Sequence, residues 1–207
     1  MFFLHRIWNW CSRFRYRCGY GVHSPSDFFL ITSVIYERHH YYAYRMLQAR
    51  KFPTYLPHYR RKVNRLLFRL VNYFRPKSLI EVGTGNGASI SYMRAACRTM
   101  ESITLKGTNW TKTSRQLEEK LSDMRTLDCL HIGYTPFYRE VFEQALPYVG
   151  SHSCFIIGGI HDSKQKRDWW KQIVASEATV ITLDLYDIGL VFFDKARYKQ
   201  HYIVNFL

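Results

Sequence analysis

The chain has 207 residues and a net charge of +14, and 47% of its residues are hydrophobic. This length suits one domain with a substantial core, and this apolar content excludes a disordered polymer. The charge is uneven: the first 75 residues carry 14 Lys or Arg and two acids, a net +12, whereas the other 132 carry 16 and 14, a net +2. The sequence therefore predicts a basic helical N-terminal extension, residues 1–75, before a nearly neutral domain, residues 76–207.

The remaining composition excludes several classes of protein. The five cysteines are odd in number and form no C-x-x-C pair, so neither a disulfide framework nor a zinc site is supported. We predict no metal site, because the adjacent His39 and His40 lack a convincing set of partner ligands. No run approaches the length of a membrane span, and arginines interrupt the first residues too often for a signal peptide. A cytoplasmic protein is the simplest interpretation.

The first residues predict a basic amphipathic helix. Phe3, Ile7, Trp10 and Phe14 recur at helical spacing, and the arginines lie largely off that stripe. Such a helix can pack its apolar stripe on its own domain, or it can lie on an anionic membrane surface. We favour packing and keep a peripheral position at the inner membrane surface as the lesser alternative.

Two further helices are expected before residue 76. Ser24 is the predicted N-cap of the first, followed by Pro25 and Asp27, and His23 just before it is a weak candidate for a ligand contact. Residues 38–74 are predicted to be helical and very basic, with Lys and Arg interleaved with aromatic residues. This alternation suits nucleic-acid binding, but the interpretation that we favour is a solvated helix face, or one that contacts a second copy of the chain or a partner protein.

Residues 77–98 predict a buried strand, a tight turn and a helix. Gly83, Gly85 and Gly87 separate the apolar run from the helical pattern. Glycine lets a backbone turn sharply and approach a ligand, and the helix start offers free N–H groups. At the carboxyl end of a strand in an α/β fold, this arrangement predicts a ligand site. The match of residues 83–88 to a dinucleotide fingerprint is weak by itself.

The stretch E-V-G-T-G-N-G, residues 81–87, resembles the first motif of the class I S-adenosylmethionine-dependent methyltransferases, especially their bacterial O-methyltransferase-like branch. The order of the later segments, and VHSP at 22–25, extend the resemblance over roughly residues 20–207. It implies a three-layer, Rossmann-like α/β fold with a mostly parallel sheet and a closing antiparallel hairpin at 188–206. It also implies S-adenosylmethionine as the cofactor, bound by Glu81, Gly83, Thr84, Gly85 and Gly87, with His23 and Ser24 as weaker candidates at the mouth of the pocket.

The chain departs from the family pattern where the family places acids. Lys106 stands where a carboxylate would accept hydrogen bonds from the ribose hydroxyls of the cofactor, and lysine can only donate. Gly158 and Gly159 stand where two carboxylates are expected, and residues 131–135 (HIGYT) contain no acid. The interval after Lys106 has room for one helix, so one strand–helix unit of the family is expected to be missing.

Three functions remain open from the sequence. The first is methyl transfer to an unidentified small-molecule acceptor, with His161 as a weak candidate for the general base. The second is a degenerate, non-catalytic member that serves as a binding or partner subunit, since most expected carboxylates are lost. The third is an NADP-binding enzyme in which Lys106 pairs with the 2′-phosphate. We favour them in that order.

Overall fold

The computed structural model describes residues 2–207, with side chains from Arg6 onward. Its α-helices are α1 Phe2–Ser12, α2 Pro25–Phe29, α3 Tyr42–Ala49, α4 Arg61–Phe74, α5 Ala88–Ala96, α6 Trp110–Ser122, α7 Tyr138–Ala145 and α8 Lys164–Ala175. Its strands are β1 Ser78–Val82, β2 Glu101–Leu105, β3 Cys129–Ile132, β4 Cys154–Gly158, β5 Ile181–Asp184, β6 Ile188–Phe192 and β7 Gln200–Ile203. A π-helical turn, Leu30–Ile35, continues α2. Among the described residues, no helix combines the length and apolar character that crossing a membrane requires.

The strands form one sheet in the order β2-β1-β3-β4-β6-β5-β7, in which β6 runs antiparallel to both of its neighbours. The predicted mostly parallel sheet with a C-terminal antiparallel hairpin is therefore confirmed. The hairpin consists of β5 and β6, however, and not of residues 188–206. Because β6 lies between β4 and β5, both of its edges are paired, and β7 pairs in parallel with the free edge of β5.

Helices cover both faces of the sheet, which confirms the three-layer α/β architecture. Alternate strand residues point to opposite faces. On one face α4, α5 and the π-helical turn pack over residues such as Leu79 and Ile156. On the other face α6, α7 and α8 pack over residues such as Ile80 and Ile157. Although α4 belongs to the basic N-terminal third, it shares the core of the sheet; the division at residue 75 stays a prediction.

The chain is shortened in its middle, as expected, and the strand that this removes would lie at one edge of the sheet. Between β2 and β3 the chain forms one helix, α6, and β1 pairs with β2 on one side and with β3 on the other. β2 is therefore the edge strand. A further strand of the family pattern would border that edge, and its connecting loop would help to enclose an adenine.

The stretch predicted to be helical, residues 38–74, is interrupted in the structure. Residues 50–60 are not helical, and they separate α3 from α4. Pro53 and Pro57 explain the break, because proline lacks the N–H that a helix interior needs and restricts the preceding residue. Tyr59 and Phe68 are buried, whereas Tyr55 is 85% exposed. The alternating aromatic residues therefore do not form one stacking surface.

α1 is oriented opposite to the favoured prediction. Arg6, Asn9 and Arg13, which recur on one side of the helix, contact Asp187, Tyr186 and Asp184 near the end of β5. The predicted apolar stripe faces outward, with Ile7 44%, Trp10 38% and Phe14 56% exposed. The side chain of Phe3 lies outside the described residues. The reason for the inversion is that carboxylates at the carboxyl end of β5 form charge-assisted bonds with the guanidinium groups.

Candidate functional site

The glycine turn forms as predicted, between β1 and α5. Gly87 has φ +82° and serves as the N-cap of α5, a conformation that glycine adopts without strain. At Gly83, a Cβ atom would lie 3.0 Å from the backbone nitrogen of Tyr134, so the close approach of two loops requires glycine. Thr84 donates from both its backbone nitrogen and Oγ1 to the carbonyl oxygen of Tyr134, at 2.8 Å each. The turn is thus fixed against the loop that follows β3.

Beneath this turn, Glu81 belongs to a buried chain of polar groups. Its Oε1 atom accepts from Ser89 Oγ at 2.6 Å and lies 2.8 Å from His131 Nδ1. The other ring nitrogen of His131, Nε2, lies 3.2 Å from the hydroxyl oxygen of Tyr59. Glu81 and His131 are aligned neighbours on β1 and β3, which places their side chains on the same face of the sheet.

The electrostatics of Glu81, His131 and Tyr59 determine which of their atoms carry protons. Burial raises the pKa of Glu81, but the hydrogen bonds and charge of His131 and the bond from Ser89 outweigh it, so the pKa of Glu81 is lowered overall. The carboxylate therefore accepts, and Nδ1 of His131 carries the proton. Burial raises the pKa of Tyr59 well above its usual value. Its hydroxyl stays protonated and can donate to Nε2.

The cleft over the glycine turn is filled by the chain itself, through residues 53–60, which we call the closing segment. The carbonyl oxygen of Pro57 accepts from the backbone nitrogen of Asn86 at 3.0 Å, and that of Pro53 accepts from Asn86 Nδ2 at 3.1 Å. The ring of Tyr59 lies 5.0 Å from that of Tyr134. The space left beside Glu81 is about 10 Å³, enough for roughly one water molecule. A ligand pocket usually needs about 300–1,000 Å³, so in this conformation the cleft does not fit the cofactor.

The two glycines at the end of β4 make room for this closure. A Cβ atom on Gly158 would lie 1.8 Å from the hydroxyl oxygen of Tyr59. At Gly159, with φ +62°, a Cβ atom would lie 1.9 Å from Asp162 Oδ2. Where the family resemblance implied two carboxylates, the chain thus places Tyr59 and Asp162.

A second polar cluster lies at the end of β5 and involves the general-base candidate His161. Its Nε2 atom lies 2.8 Å from Asp184 Oδ2, and its ring stacks on Tyr186 at 4.9 Å. Arg13 binds both oxygens of Asp184, at 2.8 and 3.0 Å. Burial raises the pKa of Asp184, but the hydrogen bonds from His161 and Arg13 outweigh it and hold that pKa far below its usual range. Nε2 of His161 therefore donates to Asp184, which leaves only Nδ1 of this ring able to accept a proton.

The weaker candidates lie away from the turn. His23 and Ser24 line a cleft with Ile181 and Gln200, the first residues of β5 and β7, at the opposite edge of the sheet. The geometry gives no support to their assignment to the mouth of the pocket, which stays a prediction, and Ser24 caps α2, with Asp27 N 3.5 Å from its Oγ. Lys106 is exposed at the end of β2. The described side chains contain no group of three or more His, Cys, Asp or Glu that could hold a metal ion.

Sequence reasoning missed the residues that close the site. Tyr59 was assigned to a basic helix face, and His131 and Tyr134 were seen only as a stretch without acids. One signal was available for His131: it stands one residue before the end of its strand, as Glu81 does in β1. In neighbouring parallel strands such positions meet, but the pairing of β1 with β3 has to be known first.

Comparisons with known proteins agree with the geometry. No family model matches the sequence, and a search of curated proteins finds no match. Among solved structures, a candidate O-methyltransferase from Klebsiella pneumoniae has a TM-score of 0.55 and 16% identity, covering 83% of this chain and 97% of its own. An O-methyltransferase from Bacillus cereus in complex with SAH has 0.50 and 15%, covering 77% and 90%. A methyltransferase from Geobacter sulfurreducens has 0.50 and 12%, covering 65% and 79%. The chain therefore has the class I methyltransferase fold, and the predicted resemblance is confirmed at the level of the fold.

Proposed function

We propose that this methyltransferase-like protein binds S-adenosylmethionine at the glycine turn, that the closing segment controls access to the turn, and that the activity is methyl transfer to a small-molecule acceptor. The observation that carries the proposal is the turn itself. Gly83, Gly85 and Gly87 follow β1, with the carboxylate of Glu81 beneath them. The SAH bound to the Bacillus cereus neighbour supports the same class of ligand.

In an opened cleft, the residues of this chain would have separate roles. The glycine backbone and the first N–H groups of α5 would face the ligand, and Glu81 would accept from its amino group. S-adenosylmethionine supplies an activated methyl group, and much of the catalysis of its transfer can come from positioning. Departure of Tyr59 frees Nε2 of His131 while Glu81 still holds Nδ1. His131 thus becomes a second general-base candidate, and unlike His161 it lies beside the glycine turn, among the residues that line the space next to Glu81.

Closure of the cleft would weaken the binding of S-adenosylmethionine, because only the open form of the protein can bind it. If the open form is about 1% of the population, the apparent Kd is about 100-fold weaker than that of the open cleft. Tyr59 makes several of the contacts that keep the cleft closed. It is buried, it contacts His131 and Tyr134, and its hydroxyl group occupies the space that a side chain on Gly158 would need. Removing its ring should therefore shift the population toward the open form.

The test is a calorimetric titration of the full chain with S-adenosylmethionine and with its demethylated product. We expect Tyr59→Ala to bind at least about tenfold more tightly than the unmodified chain, and Tyr55→Ala to behave like the unmodified chain because Tyr55 is exposed. Adding Gly85→Val to Tyr59→Ala should abolish binding, because the side chain would enter the path of the ligand. Binding that Gly85→Val leaves intact would contradict the site.

A second candidate, a non-catalytic binding subunit, is favoured by the fit between Gly158 and Tyr59. The family pattern places a carboxylate at this position. Here Gly158 instead leaves room for the ring of Tyr59, which fills the cleft. If no variant binds either ligand while circular dichroism shows an intact fold, this candidate replaces the first. The NADP alternative depends on Lys106 alone, and the same titration with NADPH tests it.

A further inference from the structure

The outward side of α1 is an exposed apolar surface beside the domain. Ile7, Trp8 and Phe14 are 44%, 73% and 56% exposed, and Trp10 is 38% exposed. The opposite side of the helix is bonded to the domain, through the pairs of Arg6 with Asp187 and of Arg13 with Asp184. The apolar side chains are therefore presented outward by a fixed helix, which is an arrangement that favours contact with another apolar phase.

A basic cleft of about 670 Å³ adjoins the end of α1, between the π-helical turn, α4 and residues 205–207. It is lined by six cationic side chains and one acidic one, Glu37. The cations are Arg17, Arg38, Arg61, Lys62, Arg65 and Arg69. None of the ion pairs among the described residues includes any of these six.

Two of these cations are held by main-chain oxygen atoms. Arg69 donates to the amide carbonyl oxygens of Val34 and Ile35, which carry no formal charge, and Lys62 donates to a main-chain oxygen of Leu207. The Nε atom of Arg65 is buried and has no hydrogen-bond partner among the described residues. A cleft lined by one sign of charge concentrates counter-ions, and guanidinium groups match the geometry of phosphate.

The apolar surface and the basic cleft are continuous. Trp10 and Arg17 line the cleft, and the guanidinium of Arg17 lies 5.4 Å from the ring centre of Trp10 and 5.1 Å from that of Phe14. Tryptophan is enriched at the boundary between lipid headgroups and acyl chains, where cations meet lipid phosphates. The combined surface thus matches both layers of an anionic bilayer interface.

We propose that this surface binds anionic phospholipid bilayers. Ile7, Trp8, Trp10 and Phe14 enter the headgroup region, and the exposed cations of the cleft, including Arg38 and Arg61, contact lipid phosphates. The ion pairs of Arg6 and Arg13 fix the helix before it meets the membrane, so little ordering is needed on binding. This inference is independent of the proposed chemistry in the cleft of the glycine turn.

The test is co-sedimentation of the full chain with vesicles. We expect binding to vesicles of phosphatidylglycerol and phosphatidylcholine in equal parts, weak binding to phosphatidylcholine alone, and loss of binding at high salt. The double variant Arg38→Gln/Arg61→Gln should lower the partition coefficient about 25-fold, since each cation near the surface contributes a factor of about five. Ile7→Ser/Trp8→Ser should lower it by about tenfold or more.

Matched controls distinguish binding through this surface from nonspecific electrostatic or hydrophobic adsorption. Tyr198→Ser removes an aromatic side chain that is 90% exposed elsewhere, and Arg115→Gln/Lys195→Gln removes two exposed cations outside the cleft. Both should bind like the unmodified chain, and thermal melts should show that all variants fold. Equal binding by every variant, or no preference for phosphatidylglycerol, would overturn the proposal.

Three other results would also overturn the proposal, because each would identify a different ligand for this surface. Binding of inorganic pyrophosphate without vesicle binding would indicate a free phosphorylated ligand. Binding of single-stranded DNA that Arg38→Gln/Arg61→Gln abolishes, again without vesicle binding, would indicate nucleic acid. A dimer in light scattering that Ile7→Ser/Trp8→Ser dissociates, with no vesicle binding, would indicate a second copy of the chain.

Discussion

Gly158 is the residue at which one methyl group decides whether the cleft can close. A Cβ atom there would lie 1.8 Å from the hydroxyl oxygen of Tyr59, so Gly158→Ala must displace that ring or the strand. We expect Gly158→Ala to lower the free energy of unfolding by about 1–3 kcal/mol, the usual cost of overpacking a core. Urea unfolding monitored by circular dichroism measures it.

The matched control for this prediction is Gly133→Ala, in the same site. A Cβ atom on Gly133 would lie 3.6 Å from its nearest atoms, an ordinary contact, so this change should be nearly neutral. The double variant Gly158→Ala/Tyr59→Ala should be no less stable than Tyr59→Ala, because the clash is gone. Equal costs of Gly158→Ala with and without Tyr59 would show that the two residues are not coupled.

Whether the sequence could predict a site residue depends on how far along the chain its contact partners lie. Glu81 and the three glycines occupy one local stretch with its own pattern, and that pattern predicted the turn. The partners Tyr59 and His131 lie 22 residues before and 50 residues after Glu81 in the printed numbering. They meet it only through the pairing of β1 with β3 and the path of the closing segment, which no local pattern contains.

At the scale of elements, Asp187 joins the two parts of the N-terminal third that cover the site. Its carboxylate binds Arg6 of α1 at 2.9 and 3.0 Å and Arg60 of the closing segment at 3.0 Å. Asp187→Ala should loosen both, because each loses an ion pair worth about 1 kcal/mol at this partly exposed position. We expect trypsin to cut faster, by about fivefold, near residues 13–17 and 50–61 while the thermal melt changes little.

The control for Asp187→Ala is Asp168→Asn, which removes an exposed carboxylate paired only with Lys171. It should leave both cleavage rates unchanged. Faster cutting at α1 but not at the closing segment would mean that Arg60 does not help to hold the cleft closed.

Elements differed in how well sequence pattern predicted them. The period of α1 predicted a helix, but which side faces the domain depends on carboxylates near residue 185, far along the chain. The break between α3 and α4 had a local signal in Pro53 and Pro57, which our prediction did not use. The strand, turn and helix within residues 77–98 were predicted well from their local pattern, whereas the C-terminal hairpin was misplaced, because the pairing of β6 with β5 depends on the whole sheet.

At the scale of the whole molecule, the fold is intact although it lacks one strand–helix unit of the family pattern, at the edge of the sheet formed by β2. The missing strand–helix unit would lie beyond β2, so its absence leaves the pairing of β1 with β3 and β4 intact. The core on both faces is continuous without it. The edge that holds the glycine turn, by contrast, is covered by the N-terminal third, whose arginines bind Asp184 of β5 and Asp187 of the following turn.

Two of the acids at this edge, Glu81 and Asp184, should determine the acid stability of the whole chain. Both are buried, which raises the pKa of each, but hydrogen bonds from His131 and Ser89, and from His161 and Arg13, lower both pKa values overall. An unfolded chain takes up these protons near pH 4, whereas the folded chain resists them. The stability that they contribute is therefore complete above about pH 5 and is lost as the pH falls below about 4.5.

We expect the urea midpoint to fall as the pH is lowered from about 4.5 to about 3. Glu81→Gln and Asp184→Asn should each be less stable at pH 7, because His131 or Arg13 loses a charged partner, and each should show a shallower decrease in acid. Asp168→Asn, an exposed carboxylate, should keep the unmodified slope. If both buried variants kept the full acid slope, the proton uptake would have to come from other groups, and the proposed charge state of Glu81 beneath the glycine turn would be wrong.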